Sequence, residues 1–190
     1  MNLPKRKPTR LEGYDYSTTG AYFITICTHN RKCLFSNIVG AIHELPENKL
    51  TKYGEFAEQI IKILPDRFNV SIPKHIVMPN HIHLIIEIND DDNNRAVREP
   101  PLQYHRSVID KMVGFFKMNV SKKIHITYSD KIWQRSYHDH IIRGENDYQK
   151  IWEYIDTNPL KWELDCFYND DNFKVNCPLD KRVHPCVLLK

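Results

Sequence analysis

The chain has 190 residues, 41% hydrophobic and 27% charged, an ordinary globular balance. That length supports one domain with an adequate core, and no apolar run is long enough to cross a bilayer. The formal net charge of +3 does not by itself establish a polyanionic partner, so the placing of the charges has to be read instead.

Residues 1–12 carry Lys5, Arg6, Lys7 and Arg10 with no apolar stretch behind them, and read as a flexible basic arm. They do not form a secretory leader, so a cytoplasmic protein is expected. The five cysteines, Cys27, Cys33, Cys166, Cys177 and Cys186, lack CxxC spacing and read as reduced thiols. Tyr14 to Gly20 is a turn-rich entry. Ala21 to Thr28 is β-branched, aromatic and uncharged, which predicts a central strand. Cys33 to Ile38 reads as an edge strand. Gly40 to Glu44 and Lys49 to Tyr53 flank Leu45-Pro46-Glu47-Asn48 as the arms of a hairpin. From Gly54 to Leu64, Phe56, Ile60, Ile63 and Leu64 recur at helical spacing, and Pro65 is expected to stop that helix.

Asn69 to Met78 predicts a strand in which Pro73 disfavours a fully paired position. Pro79-Asn80 is a tight turn, and His81 to Ile88 returns as the antiparallel partner. Asn89 to Pro101 is a polar, mobile loop. Ser107 to Lys122 shows Ile109, Val113, Phe116 and Val120 at helical spacing, joined by Val108, Met112 and Phe115. Gly114 inside that helix costs about 1 kcal/mol relative to alanine, so it is expected to mark a close packing contact. Lys131 to Arg143 predicts a turn and a short strand. A last helix follows, with Glu145, Asn146 and Asp147 at its N-terminus, a core stripe of Tyr148, Ile151, Trp152 and Ile155, and a stop at Pro159. Residues 160–190 show little periodicity. The order of elements gives an α+β sheet covered by helices. One domain over residues 13–165 is expected, between the arm and a C-terminal tail at 166–190.

Three groups of residues carry chemistry. On a strand, His81 and His83 point the same way, with Ile82, Leu84 and Ile86 on the other side. Two such imidazoles can supply metal ligands suited to Zn, Mn, Fe or Ni, or can be ordinary strand histidines. Glu87 shares their face and is read as an acid, with ligation as the alternative. Tyr154 and Asn158 are i and i+4 on the last helix, on one face about 6 Å apart. Tyr154 falls roughly 110° from the centre of the core stripe, which is complete without it. The bland readings are a core tyrosine and a helix-capping asparagine. Finally, Arg106, Lys111, Lys117, Lys122 and Lys123 outnumber the acids in their stretch, and Arg135, Tyr137, His138 and Arg143 interleave basic and aromatic groups. That suits phosphate contact and base stacking on single strands, although a solvated helix face explains the first group equally well. Trp133 is expected in the core. Asp139 and His140, being adjacent on a strand, should face opposite ways. No Walker loop, GxGxxG, GxSxG or HExxH occurs, which excludes the common nucleotide-dependent, Rossmann and zincin sites.

The ordered set Gly13-Tyr14-Asp15-Tyr16, Tyr22-Phe23-Ile24-Thr25-Ile26-Cys27, Met78-Pro79-Asn80-His81-Ile82-His83, Trp133-Gln134, Tyr137-His138-Asp139-His140-Ile141-Ile142-Arg143 and Tyr154-Ile155-Asp156-Thr157-Asn158-Pro159-Leu160-Lys161-Trp162 resembles the IS200/IS605-like single-tyrosine transposases. It is most similar to their REP-associated branch. The resemblance implies a ferredoxin-like antiparallel sheet of the HUH endonuclease type. It makes His81 and His83 metal ligands, Asn158 the helix residue that completes the site, and Tyr154 the nucleophile. Better-known members carry glutamine where this chain has Asn158. The implied cofactor is Mg²⁺ or Mn²⁺, and two histidines favour Mn²⁺ chemically. The implied partner is single-stranded DNA beside a hairpin, cut through a covalent 5′-phosphotyrosine. Basic groups, Lys5, Arg6, Lys7 and Arg10 among them, would hold phosphates. A homodimer sharing the tyrosine helix and a single-subunit form both fit the resemblance. Two rival functions remain open at this point: a metal-dependent hydrolase using activated water, and a non-catalytic hairpin-binding protein.

Overall fold

The computed structural model describes residues 14–40, 46–89, 107–165 and 167–168. The predicted basic arm, the polar loop from residue 90 onward, Arg106 and the tail apart from residues 167–168 lie outside the described residues. Four strands form the main sheet: β1 (Gly20–Cys27), β4 (Ser71–Val77), β5 (His81–Ile88) and β6 (His138–Ile142). A separate ribbon pairs β2 (Ser36–Val39) with β3 (Glu47–Leu50). The helices are α1 (Lys52–Phe68), α2 (Val108–Ile124) and α3 (Glu145–Thr157). The main sheet is antiparallel throughout, in the order β4-β5-β1-β6. Two βαβ halves, β1-α1-β4 and β5-α2-β6, therefore interleave in the ferredoxin-like manner.

β1 and β5 occupy the centre and find cover on both sides. Tyr22, Ile24 and Ile26 of β1, with Ile82, Leu84 and Ile86 of β5, pack against Ala57, Ile61 and Leu64 of α1 and Ile109, Val113 and Phe116 of α2. Each side chain of this size, fully buried, contributes about 1.5–3 kcal/mol. The opposite face holds a smaller cluster, Phe23 and Ile85 under Ile151 and Ile155 of α3. α3 thus lies across the histidine side of the sheet, as the sequence pattern predicts.

Local signals set most element ends. The Thr51 hydroxyl accepts from the Gly54 N–H at 3.2 Å and caps α1, while Ser107 accepts from the Asp110 N–H at 3.1 Å and caps α2. Pro73 sits at an irregularity in the register of β4, on the sheet edge, where its missing N–H costs no ladder bond.

Several expectations are corrected. Among the described residues the hairpin pairs Ser36–Val39 with Glu47–Leu50, so Glu47 and Asn48 lie in a strand, and Tyr53 already belongs to α1 because the Thr51 cap starts the helix; residues 41–45, which hold most of the expected first arm, lie outside the described residues. α1 does not stop at Pro65. Proline forfeits one N–H bond, but the next turn is closed by Asn69, in the left-handed conformation at φ 51°, whose N–H bonds the Pro65 carbonyl. Gly114 has open space around it and marks no close contact. The close approach is instead at Gly54, where a Cβ would collide with the Phe35 carbonyl oxygen.

Candidate active site

The strand register assembles the histidine face. Thr25 lies opposite His83 and Cys27 opposite His81 on β1 and β5. His81 and His83 are fully buried, their rings 4.5 Å apart at 65°. Nδ1 of His83 is 2.8 Å from the Thr25 hydroxyl. Nδ1 of His81 is 2.9 Å from Asn80 Oδ1. The Asn80 amide nitrogen donates to the carbonyls of Phe167 at 2.7 Å and Arg31 at 3.3 Å, which fixes the amide's orientation. Asn80 Oδ1 therefore accepts, His81 carries its proton on Nδ1, and Nε2 holds the lone pair that a metal needs. Burial pushes the Cys27 thiol on the neighbouring strand up to about 12.

α3 brings the second half of the site. Gly144, at φ +85°, allows the sharp turn from β6 into the helix. Asp147 then accepts from the Arg143 N–H at 2.9 Å and contacts His140 Nε2 at 2.8 Å, tying the helix start to the strand. With Ile151 and Ile155 anchored on the sheet, Tyr154 projects along it. Its ring lies 5.3 Å from His83 and meets Phe23 edge-on at 6.1 Å. One turn later, Asn158 is buried, and its Nδ2 donates to Asp165 Oδ2 at 2.9 Å. The same carboxylate oxygen accepts from the Tyr154 hydroxyl at 3.4 Å. Asn158 Oδ1 is buried without a hydrogen-bond partner. An orphaned buried carbonyl costs about 1–3 kcal/mol, which a folded chain tolerates where the atom has a use. Two imidazoles and one amide oxygen are donor types that suit a divalent cation, Mn²⁺ more readily than Mg²⁺.

The expected nucleic-acid residues divide. Lys5, Arg6, Lys7, Arg10 and Arg106 lie outside the described residues. Lys111, Arg135 and Arg143 are exposed. Tyr137 is in the core and donates to Asp110 at 3.1 Å, so its ring offers no stacking face. Lys117 donates to the carbonyls of Gln134 at 2.9 Å and Ser136 at 2.7 Å, and burial pushes its pKa down to about 8. It clamps a loop with two of its three ammonium donors. His138 is half-buried, and burial lowers its pKa. Trp133 is in the core, stacked on Phe35 at 5.0 Å, as expected. Glu87 accepts from the Tyr148 hydroxyl at 2.9 Å, an acid engaged with α3.

Four residues of the site escape sequence reading: Thr25, Asn80, Asp165 and Phe167. Thr25 becomes visible once β1 is paired with β5. Asn80 looks like a turn residue. Asp165 and Phe167 fall in a stretch with no periodicity, yet the Phe167 ring lies 4.6 Å from His81.

An antiparallel sheet of this order, with a histidine–hydrophobe–histidine strand under a tyrosine helix, is an α+β fold of the ferredoxin-like type. No protein-family model matches the chain. A Haemophilus influenzae protein of unassigned function is 35% identical over 175 residues, covering 87% of this chain and 94% of that one. The REP-associated tyrosine transposase of Escherichia coli K12 is 25% identical over 166 residues, covering 82% and 81%. Among solved structures, a REP-associated tyrosine transposase bound to a REP hairpin superposes with a TM-score of 0.52 at 20% identity, covering 85% of this chain and 74% of that one, and shares the fold. Over 82% of its length the chain is thus similar to proteins named REP-associated tyrosine transposases.

Proposed function

We propose that this protein is a metal-dependent endonuclease and strand-transferase that cuts single-stranded DNA beside hairpins through a covalent phosphotyrosine on Tyr154. The observation that carries this reading is the meeting of Tyr154 and Asn158 on one carboxylate, with the Tyr154 ring against His83. The hairpin substrate is inferred from the solved relative, which is bound to one.

His81 and His83, through Nε2, and Asn158, through Oδ1, would hold Mg²⁺ or Mn²⁺. The bound ion supplies positive charge that polarises the scissile phosphate. Asn80 keeps His81 in the ligating tautomer. The Tyr154 oxygen attacks phosphorus and loses its proton. The P–O3′ bond breaks, and the 3′ oxygen leaves as a hydroxyl after taking a proton. The 5′ phosphate stays on the tyrosine, so the phosphoester energy is kept for rejoining without a nucleotide cofactor. Rejoining is the reverse attack by a 3′-hydroxyl. In this fold His81, His83, Asn158 and Tyr154 all come from one chain. Among the described residues no helix is long and apolar enough to cross a membrane.

The test uses labelled single-stranded DNA flanking the gene, hairpin included, with Mn²⁺ on a denaturing protein gel. A metal-dependent adduct, absent in Tyr154→Phe and His81→Ala, is expected. Cleavage without an adduct, undiminished in Tyr154→Phe, would point to an activated-water hydrolase. Tight, salt-sensitive binding without cleavage would point to a hairpin-binding protein.

A further inference from the structure

Asp165 lies beyond α3, after the 3₁₀ turn Trp162–Leu164, and folds back onto the helix it has just left. Its carboxylate accepts on both edges. Oδ1 takes the Phe167 N–H at 2.7 Å, and Oδ2 takes Asn158 Nδ2 at 2.9 Å and the Tyr154 hydroxyl at 3.4 Å. An ionised carboxylate can only accept. It therefore forces the NH₂ end of the Asn158 amide toward itself and leaves Oδ1, buried and without a hydrogen-bond partner, at the other end. The Phe167 bond holds the carboxylate in turn, and the Phe167 carbonyl is held by Asn80, the residue that sets the His81 tautomer.

We propose that Asp165 is a positioning residue for the metal centre, which fixes the Asn158 amide with its oxygen toward the ion. This rests on the proposed role of Asn158 as a ligand.

Asparagine in place of Asp165 keeps the shape and cannot keep the pattern. In either amide orientation one edge becomes a donor, facing either the Phe167 N–H or the Asn158 NH₂. The experiment titrates the full chain with Mn²⁺ alone, no DNA present, and reads free Mn²⁺ by electron paramagnetic resonance. The proteins are wild type, Asp165→Asn, Asn158→Ala, the double variant and His81→Ala. Asp165→Asn should weaken Mn²⁺ binding by about 10–100-fold, the usual effect of removing a group that orients a ligand. In the Asn158→Ala background the same change should alter affinity by less than about twofold, because the residue it acts through is gone. Asp165→Ala, which removes both acceptors without adding a donor, should shift affinity in the same direction and replaces the asparagine variant if that one melts below the assay temperature. An Asp165→Asn affinity within about twofold of wild type overturns the inference, as does a full cost retained in the Asn158→Ala background. Wild-type binding insensitive to both His81→Ala and Asn158→Ala would overturn the metal centre itself, and this inference with it. Sensitivity to those two but not to Asp165→Asn would overturn the role of Asp165 alone.

Discussion

Replacing Thr25 with valine removes one hydroxyl from the floor of the site and changes little else. The Thr25 hydroxyl and His83 Nδ1 are 2.8 Å apart, and both residues are fully buried. Valine has nearly the same shape, so no cavity opens and the loss is of one polar partner. A buried imidazole nitrogen left without that partner costs about 1–3 kcal/mol. At about 2 kcal/mol the melting temperature should fall by roughly 4–8 °C for a domain of this size. The same change frees the His83 ring to turn, so Mn²⁺ affinity should drop by about 10–100-fold. The assay is calorimetric melting of wild type, Thr25→Val and Thr25→Ser, with a Mn²⁺ titration of each. Serine keeps the hydroxyl, so it should recover most of the affinity while losing some stability through the missing methyl. Valine with unchanged melting and unchanged Mn²⁺ affinity would refute the reasoning, because the hydroxyl would then be doing nothing for the ring.

Gly54→Ala should destabilise the fold by about 1–3 kcal/mol in urea titration, because its Cβ would meet the Phe35 carbonyl oxygen, which is backbone and cannot step aside cheaply; a change below about 0.5 kcal/mol would show that the ribbon shifts freely. Burial alone would raise the Asp147 pKa, but the Arg143 N–H and the His140 ring bring it below its usual value. A depressed carboxylate contributes stability above its unfolded pKa, near 4, and loses it as pH falls through the lower folded value. Asp147→Asn should therefore be less stable than wild type at pH 7, and the gap should shrink as pH falls below about 4 toward the lower folded value; a gap of unchanged size through the whole acid range would place the effect elsewhere. If exposed Lys111, Arg135 or Arg143 contacts a phosphate, its replacement by glutamine should lower the slope of log affinity against log salt by about 0.7 on single-stranded DNA. The same change at Lys117 should cost stability and leave that slope unaltered.

Local rules were enough where a residue's role follows from its own element. The alternation of β5 puts His81 and His83 on one side whatever else the chain does, because strand side chains repeat every two residues. The 3.6-residue period of α3 leaves Tyr154 off its apolar stripe and stacks it with Asn158 in the same way. Pro73 forecast an edge because a proline has no N–H for a ladder. Where neighbours compete, local rules fell short. Pro65 should end a helix, but Asn69 closes one more turn. Tyr137 alternates with basic residues like a stacking platform, yet Asp110 draws its hydroxyl into the core.

The sequence by itself determined the fold class, the paired histidines and the tyrosine–asparagine face, because period and spacing are properties of a single strand or helix. Only the tertiary structure decided which groups orient them. Thr25 reaches His83 through strand pairing, across 58 positions of sequence, and Asn80 is held by the Phe167 carbonyl across 87. Asp165 reaches back to Tyr154 and Asn158 from a segment without periodicity. A hydrogen bond between distant segments requires two backbones to be placed first, and packing on both faces of one sheet is what places them.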